Sequence, residues 1–259
     1  SDLCHRERSR GANSRMTTTL CIDVGGTGLK AAAVALDGAM LSERVKLKTP
    51  YPCPPERLLE KLGELAQHFS NYDRVSVGFP GLVRHGKIWH VPALSRAEYG
   101  GHADPQLQSA WHGFDLQSAL EQQFHKPVKV ANDADVQGCA AVVGEGFEFV
   151  MTLGTGVGTA VFSDGVLLPH MELSHAEFRK GQSFDTQLGN AMRKEIGQDR
   201  WIRRVLKAID AFDAFLYFDR LHIGGGNAKY LVEMPLPPKV RIVSNTAGLL
   251  GGVRIWDLG

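Results

Sequence analysis

The chain has no apolar run near the roughly 20 residues that a membrane-spanning helix needs, which excludes an integral helical membrane protein. Cysteine is scarce: Cys4, Cys21, Cys53 and Cys139 are scattered, and no Cys-x-x-Cys pair occurs. That argues against a disulfide framework and a cysteine zinc site, and makes a reducing cytoplasm the expected compartment. Neither sign of charge is in excess, with 29 Lys+Arg against 28 Asp+Glu and a formal net charge of +1. Composition therefore gives no reason to expect nucleic acid or a membrane surface as partner. The leader, residues 1–15, is polar and Arg-rich without an apolar core, so it does not read as a secretory signal. It precedes Met16, which reads as a natural start, and is expected to be a disordered extension outside the fold.

What is present is ordinary globular composition, 43% hydrophobic and 22% charged over 259 residues, enough for one large or two medium domains. The stretch that organises the chain is Ile22-Asp23-Val24-Gly25-Gly26-Thr27-Gly28-Leu29-Lys30. An apolar strand, Thr19 to Ile22, leads into it, and a second, Leu29 to Val34, leads out, so the glycines sit at a hairpin tip. Glycines there let backbone N–H groups reach phosphate oxygens, and the Thr27 hydroxyl adds a donor. Asp23 can hold Mg²⁺ through its water shell. The same pattern also makes a plain tight turn. It is not a Walker loop, which needs a following helix and a Lys-Ser/Thr pair.

Met40 to Lys48 predicts a third strand. Pro55 opens a helix with apolar residues at Leu58, Leu62, Leu65, Ala66 and Phe69, and Arg74 to Phe79 predicts another strand. The unit is β-β-β-α-β. Gly78-Phe79-Pro80-Gly81 ends it, either as a ligand-contacting turn or as a plain loop. Residues 85–113 read as a long irregular loop flanking a cleft. A short helix follows from Asp115, its cap, to Phe124. Next comes Val128-Lys129-Val130-Ala131-Asn132-Asp133-Ala134-Asp135, a strand ending in an amide and carboxylates just before a helix over 136–143. An Asp there can simply cap the helix. An amide to orient a hydroxyl and a carboxylate to take its proton also make a sugar-hydroxyl site.

Residues 150–161, with Leu153-Gly154-Thr155-Gly156-Val157-Gly158 at their centre, repeat the opening pattern of strand, Gly/Thr tip and strand. The chain therefore reads as an internal duplication of β-β-β-α-β units facing each other across a cleft. In Leu168-Pro169-His170-Met171-Glu172-Leu173-Ser174-His175-Ala176-Glu177, the His/Glu spacing invites a metal, but no predicted helix aligns the ligands. Contacts to a polyhydroxylated ligand fit better, with a capping or surface role left open. Phe184 to Ile196 and Trp201 to Tyr217 predict helices. Arg193, Lys194, Arg200, Arg203, Arg204 and Lys207 cluster on them, as a solvated face or a polyanion track. A strand from Arg220 ends in Gly224-Gly225-Gly226-Asn227 before an expected helix, where a flat ligand or phosphate could lie on the backbone. Arg241 to Val243 predicts the last strand, and a small-residue helix opens at Asn245.

Together these motifs, with Phe79 to Gly86 and Ser244-Asn245-Thr246-Ala247-Gly248, resemble the ROK family of sugar kinases, closest to its polyphosphate/ATP glucokinase and glucomannokinase branch. The likeness runs from about Thr19 to Ile255. It implies a two-domain α/β fold of the actin/hexokinase-like (ribonuclease H-like) ATPase type. The first domain would cover residues 16–130 and the second 131–259, with the last helix returning to the first.

The resemblance implies a role for each matched position. Asp133 would be the general base. Asn132, Glu172, His175, Glu177 and Gly81 would bind the sugar. Gly25, Gly26, Thr27, Lys30, Gly154, Thr155 and Gly156 would hold donor phosphates, with Gly224, Gly225 and Gly226 beside the nucleotide. Asp23 would organise Mg²⁺. The implied reaction moves a phosphoryl group from ATP or polyphosphate to the 6-hydroxyl of glucose or a related hexose, in a homodimer. Ser174 stands where many ROK proteins have Gly, and no cysteines follow Glu177, so zinc is not expected. The alternatives are a non-catalytic sugar-binding protein and a ROK regulator. Only about 20 residues precede Asp23, so a regulator's helix-turn-helix domain is not expected.

Overall fold

The computed structural model describes residues 17–243 and 247–258. The leader, Met16 and the Ser244–Thr246 part of the last motif lie outside the described residues. In chain order, the first half forms β1 (Thr18–Val24), β2 (Gly28–Ala35), β3 (Val45–Lys48), α1 (Pro55–Ala66), β4 (Arg74–Phe79), β5 (Leu82–Arg84), β6 (Lys87–His90), α2 (Pro105–Trp111), β7 (Phe114–Asp115), α3 (Leu116–Phe124) and β8 (Val128–Asn132). The second half forms α4 (Asp133–Ala141), β9 (Phe147–Leu153), β10 (Val157–Ser163), β11 (Val166–Leu167), β12 (Glu177–Arg179), β13 (Gln182–Ser183), α5 (Phe184–Leu188), α6 (Asn190–Ile196), α7 (Gln198–Leu216), β14 (Arg220–Gly224), β15 (Val240–Ile242) and α8 (Ala247–Leu258).

Two five-stranded sheets share one plan, β3-β2-β1-β4-β8 and β11-β10-β9-β14-β15. In the first, β1 pairs antiparallel with β2 and parallel with β4, and β4 pairs parallel with β8. In the second, β9 pairs antiparallel with β10 and parallel with β14, and β14 pairs parallel with β15. The expected duplication is therefore real at the level of topology. The near-continuous apolar runs of β1 and β2 follow from burial on both faces. One face packs under α1 through Leu58, Leu62 and Leu65, all fully buried. On the other, Val253 of α8 packs with Cys21, Ala32 and Val34.

The second lobe is built on aromatics. Phe212 of α7 lies 4.9 Å from Phe149 and 4.4 Å from Phe184, ring centre to ring centre. Truncating such a buried ring costs about 3–5 kcal/mol. α4 and α8 cross between the sheets so tightly that a Cβ on Gly251 would collide with the Val136 carbonyl. The turn after α4 is pinned by the buried Glu148 carboxylate, which accepts from Val143 N (2.9 Å) and Gly144 N (2.6 Å) and meets His222 Nε2 at 2.6 Å. Burial pushes this carboxyl up, but those partners together hold it below the usual carboxylate range.

Several sequence expectations need correction. The third strand begins at Val45, and Met40 makes only an isolated bridge to Val34, because Ser42 Oγ takes the Ala33 N–H there. Residues 85–113 are not structureless. They hold β6 and α2, whose cap Asp104 accepts from Gln106 N and whose Trp111 is buried against Phe79. The helix expected over 184–196 is broken at Gly189, which is extended (ψ 163°) and leads Asn190 N to Gly154 O (3.0 Å). After Gly226 there is only one 3-10 turn, Ala228–Leu231. The helix expected over 136–143 starts three residues earlier, at Asp133, because Asn132 caps it.

Candidate active site

The parallel strands β1, β4 and β8 all end on the same side, which is where α/β sheets open a crevice. There a cleft of about 690 Å³ separates the lobes, a size usual for small-molecule sites. Its floor is the start of α4. Asn132 caps that helix, its Oδ1 accepting from Ala134 N at 2.7 Å, while its Nδ2 donates to Gly81 O at 2.9 Å. That amide thus fixes the Gly81 turn to the helix and keeps one N–H for a ligand. Asp133 follows as the first helical residue, and its Oδ1 accepts from Ala134 N at 2.9 Å. Burial chiefly, and then the negative charge of Asp23, push the Asp133 carboxyl up to about 7.

Asp23 faces the cleft from the end of β1. Its side chain is half exposed and pairs with Lys30 Nζ at 3.1 Å, and both residues line the cleft with Arg44. The glycines between them are placed differently. Gly25, Gly26 and Thr27, the expected phosphate tip, lie beside the residues that line the cleft rather than among them. Gly25 N closes the turn on Gly28 O, the Tyr51 hydroxyl lies 2.7 Å from Gly26 O and 3.0 Å from Ala93 O, and Thr27 faces solvent.

Across the cleft, Gly154, Thr155 and Gly156 do line it, as do Gly225 and Gly226. Gly224 does not; it is the last residue of β14, paired with Thr152. This second tip is held by neighbouring side chains, one of which, Asp185, also lines the cleft. Asp185 Oδ1 accepts Val157 N (2.7 Å), and Gly154 O accepts Asn227 Nδ2 (3.1 Å). Gly225 has φ +86°, and a Cβ there would strike the Leu153 backbone, so only glycine fits.

The remaining wall is the segment before β12. Glu172 and His175 line the cleft, with Glu172 Oε2 3.7 Å from His175 Nε2. Burial works against its charge, but His170 and His175 hold the Glu172 carboxyl below its usual range. Glu177 is outside the cleft: it is exposed, and its Oε1 accepts Gly181 N (3.0 Å) in the β12–β13 hairpin. None of the six clustered Arg and Lys residues lines the cleft. Arg193 stacks over Tyr230, and Arg204 donates to Gln187 Oε1. Sequence reasoning assigned no role to Asp185, Tyr51 or Arg44. The first two act through loop contacts that no local pattern marks. Among the described residues, no group of three or more His, Cys, Asp or Glu could hold a metal ion. Among them, too, no helix is long and apolar enough to cross a membrane.

The duplicated sheets, the two facing hairpins and the carboxylate between them define an actin/hexokinase-like ATPase fold. More specifically, the chain belongs to the ROK family, whose pattern matches residues 19–178. It is 28% identical over 244 residues to a polyphosphate glucokinase of Mycobacterium tuberculosis (strain ATCC 25177 / H37Ra), covering 89% of this chain and 88% of that one. It is 35% identical over 156 residues to an N-acetylmannosamine kinase of Escherichia coli (strain SE11), covering 58% of this chain and 49% of that one. Among solved structures it is similar to an inorganic polyphosphate/ATP-glucomannokinase from Arthrobacter sp. strain KM, with TM-score 0.76 and 28% identity, over 93% of this chain and 99% of that one. A ROK family glucokinase from Streptomyces griseus, in complex with glucose and AMPPNP, shares the fold at TM-score 0.67 and 16% identity, over 93% of this chain and 99% of that one.

Proposed function

We propose that this ROK sugar kinase transfers a phosphoryl group from ATP or inorganic polyphosphate to the 6-hydroxyl of glucose or a related hexose. The observation that carries this reading is Asp133: a carboxyl pushed up to about 7, between a polar wall (Asn132, Glu172, His175) and a glycine tip (Gly154, Thr155, Gly156). A base titrating near neutral pH suits proton abstraction from a hydroxyl. As the O6–phosphorus bond forms and the donor's bridging P–O bond breaks, the hydroxyl proton passes to an Asp133 oxygen. The donor leaves with the electron pair of that bond. Asn132 N–H and Glu172 orient the sugar, and the backbone of the second tip holds the donor chain. Most of the catalysis is positioning and charge neutralisation.

Asp23 fits a magnesium ion in a limited way. It offers one accessible carboxylate, and Mg²⁺ commonly takes one or two carboxylates with waters and substrate phosphates. When bound, the ion would supply charge neutralisation on the donor phosphates, and Lys30 and Arg44 add fixed positive charge on the same wall. Polyphosphate as donor is supported by the two relatives at 28% identity, whose names carry it.

The test is glucose phosphorylation with Mg²⁺, run with ATP and with polyphosphate side by side, on the wild type and on Asp133→Ala. The variant should lose about 10²–10⁴-fold in kcat while calorimetric glucose binding survives. Near-normal turnover in the variant removes Asp133 as the base. Absence of wild-type turnover with glucose, mannose and N-acetylmannosamine removes the kinase reading for these sugars.

A further inference from the structure

Four titratable side chains form a line from the helix that carries Asp133 to the sugar wall. Asp135, in the first turn of α4, is buried, and its Oδ1 lies 3.0 Å from His170 Nδ1. His170 is itself buried, at 4% exposure, and its Nε2 has no hydrogen-bond partner. That nitrogen faces Glu172 Oε1 at 3.5 Å, outside hydrogen-bond geometry, and Glu172 Oε2 reaches on to His175. Glu172 and His175 line the cleft, whereas Asp135 and His170 stand behind them. The His170 carbonyl also accepts from Arg84 Nη2 at 2.9 Å, which ties this segment to the opposite lobe.

We propose that His170 is a positioning residue for sugar recognition: locked to Asp135 through Nδ1, it offers Nε2 to Glu172 and fixes the direction of that carboxylate toward the hexose. This rests on the reading of the cleft as a sugar site. A neutral imidazole carries one N–H and an imidazolium two, so serving both carboxylates at once needs the charged form. Burial pushes His170 down, but Asp135 and Glu172 outweigh it and raise it to about 9. Burial raises Asp135 as well, and the close Nδ1 contact opposes that rise and favours the ionised pair. A buried N–H without a partner is costly. The geometry removes that cost when Glu172 turns a little further toward His170 as its other oxygen takes a sugar hydroxyl. A purely structural ion pair would end at Asp135. This one continues to a residue on the cleft.

The test compares three variants of the full chain by steady-state kinetics with glucose and the donor the wild type uses. His170→Ala should raise the glucose KM about tenfold or more, leave kcat within about threefold, and leave the donor KM unchanged. His170→Gln, whose terminal amide reaches where Nε2 stood, should recover part of that KM. His170→Asn, which can replace only the Nδ1 contact, should not. An unchanged glucose KM in His170→Ala overturns the proposal, and so does an equal loss for both substrates in all three variants. If these variants do not fold, ¹⁵N-histidine NMR of the wild type decides. The His170 Nε2 resonance should move on saturation with glucose and not with donor alone, and no glucose-induced shift overturns the proposal. Wild-type turnover with an unmoved glucose KM in the variants sinks this inference alone. A wild type that neither binds nor phosphorylates any hexose sinks the sugar-site reading and this inference with it.

Discussion

The two hairpins occupy equivalent places in equivalent sheets, yet they meet the cleft in different ways. Between β1 and β2, the tip is covered by Tyr51 and solvent, and the cleft sees the charged flanks, Asp23 and Lys30. Between β9 and β10, the tip itself lines the cleft, held by Asp185, which lines it too, and by Asn190 and Asn227. A duplicated scaffold has thus been divided by chemistry. The first copy presents side-chain charge to the cleft, from Asp23 and Lys30. The second presents backbone, whose shape depends on contacts from residues distant in sequence.

The largest effect expected from that division is at Asp23. Asp23→Asn should lower kcat/KM by about 10²-fold, the size typical of losing one electrostatic stabiliser at a reacting centre. It should also move the pH profile. If Asp133 is the proposed base, wild-type kcat/KM should rise with pH to a plateau above about 7. Asp23 raises that value, and its neutralisation must shift the profile toward acid. A profile that stays in place would show that the two carboxylates do not communicate.

Next come matched glycine substitutions. At Gly156 a Cβ would run into the Asp185 carboxylate, so Gly156→Ala should raise the donor KM about tenfold, ~1.4 kcal/mol. At Gly26 a Cβ would meet the flexible Tyr99 ring at 3.3 Å, and Gly26→Ala should change the donor KM less than about twofold, within the range of ordinary surface substitutions. Equal losses at both tips would erase the distinction.

A smaller effect lies in stability. Asp133 has its folded value raised from 3.8 to about 7, so the folded state holds the proton more tightly than the unfolded chain. The stability that Asp133 contributes is then fullest below about 4 and is lost as pH rises through about 7. Asp133→Asn should therefore raise Tm by a few degrees at pH 8 relative to wild type and do little at pH 4, as thermal denaturation will report. Smallest of all is Ser174→Ala. The Ser174 hydroxyl is buried without a partner, so its loss should leave the glucose KM alone and shift stability by less than about 1 kcal/mol.

The sequence was most readable where structure is local. Apolar runs marked β1, β2, β4 and β9, and the face Trp201, Val205, Ala208, Ile209, Phe212 marked α7, because strand and helix periodicity need no distant partner. The Asn132–Asp133 stretch was legible as a strand-to-helix junction, because an amide ending an apolar strand also caps the helix that follows. The order inside residues 85–113 was not, since Trp111 is held by Phe79 and by the Cys53 carbonyl, far away in sequence. The exclusion of Glu177 and Thr27 from the cleft had no local mark either: neighbouring segments decide which face a short loop presents. His170 and Asp135 were visible as residues, but only the fold shows that they touch.

The crossing of α4 and α8 has a consequence for how the protein is made. One face of the first sheet, with Cys21, Ala32 and Val34, is covered by Val253, and the Arg74 guanidinium lies 4.8 Å from the centre of the Trp256 ring. A ribosome delivers those partners more than two hundred residues after β1. Until residues 247–258 clear the exit tunnel, the nascent first lobe carries an open apolar face. Translation speed and chaperone access while residues 247–258 are being made therefore bear on the yield of strands synthesised much earlier.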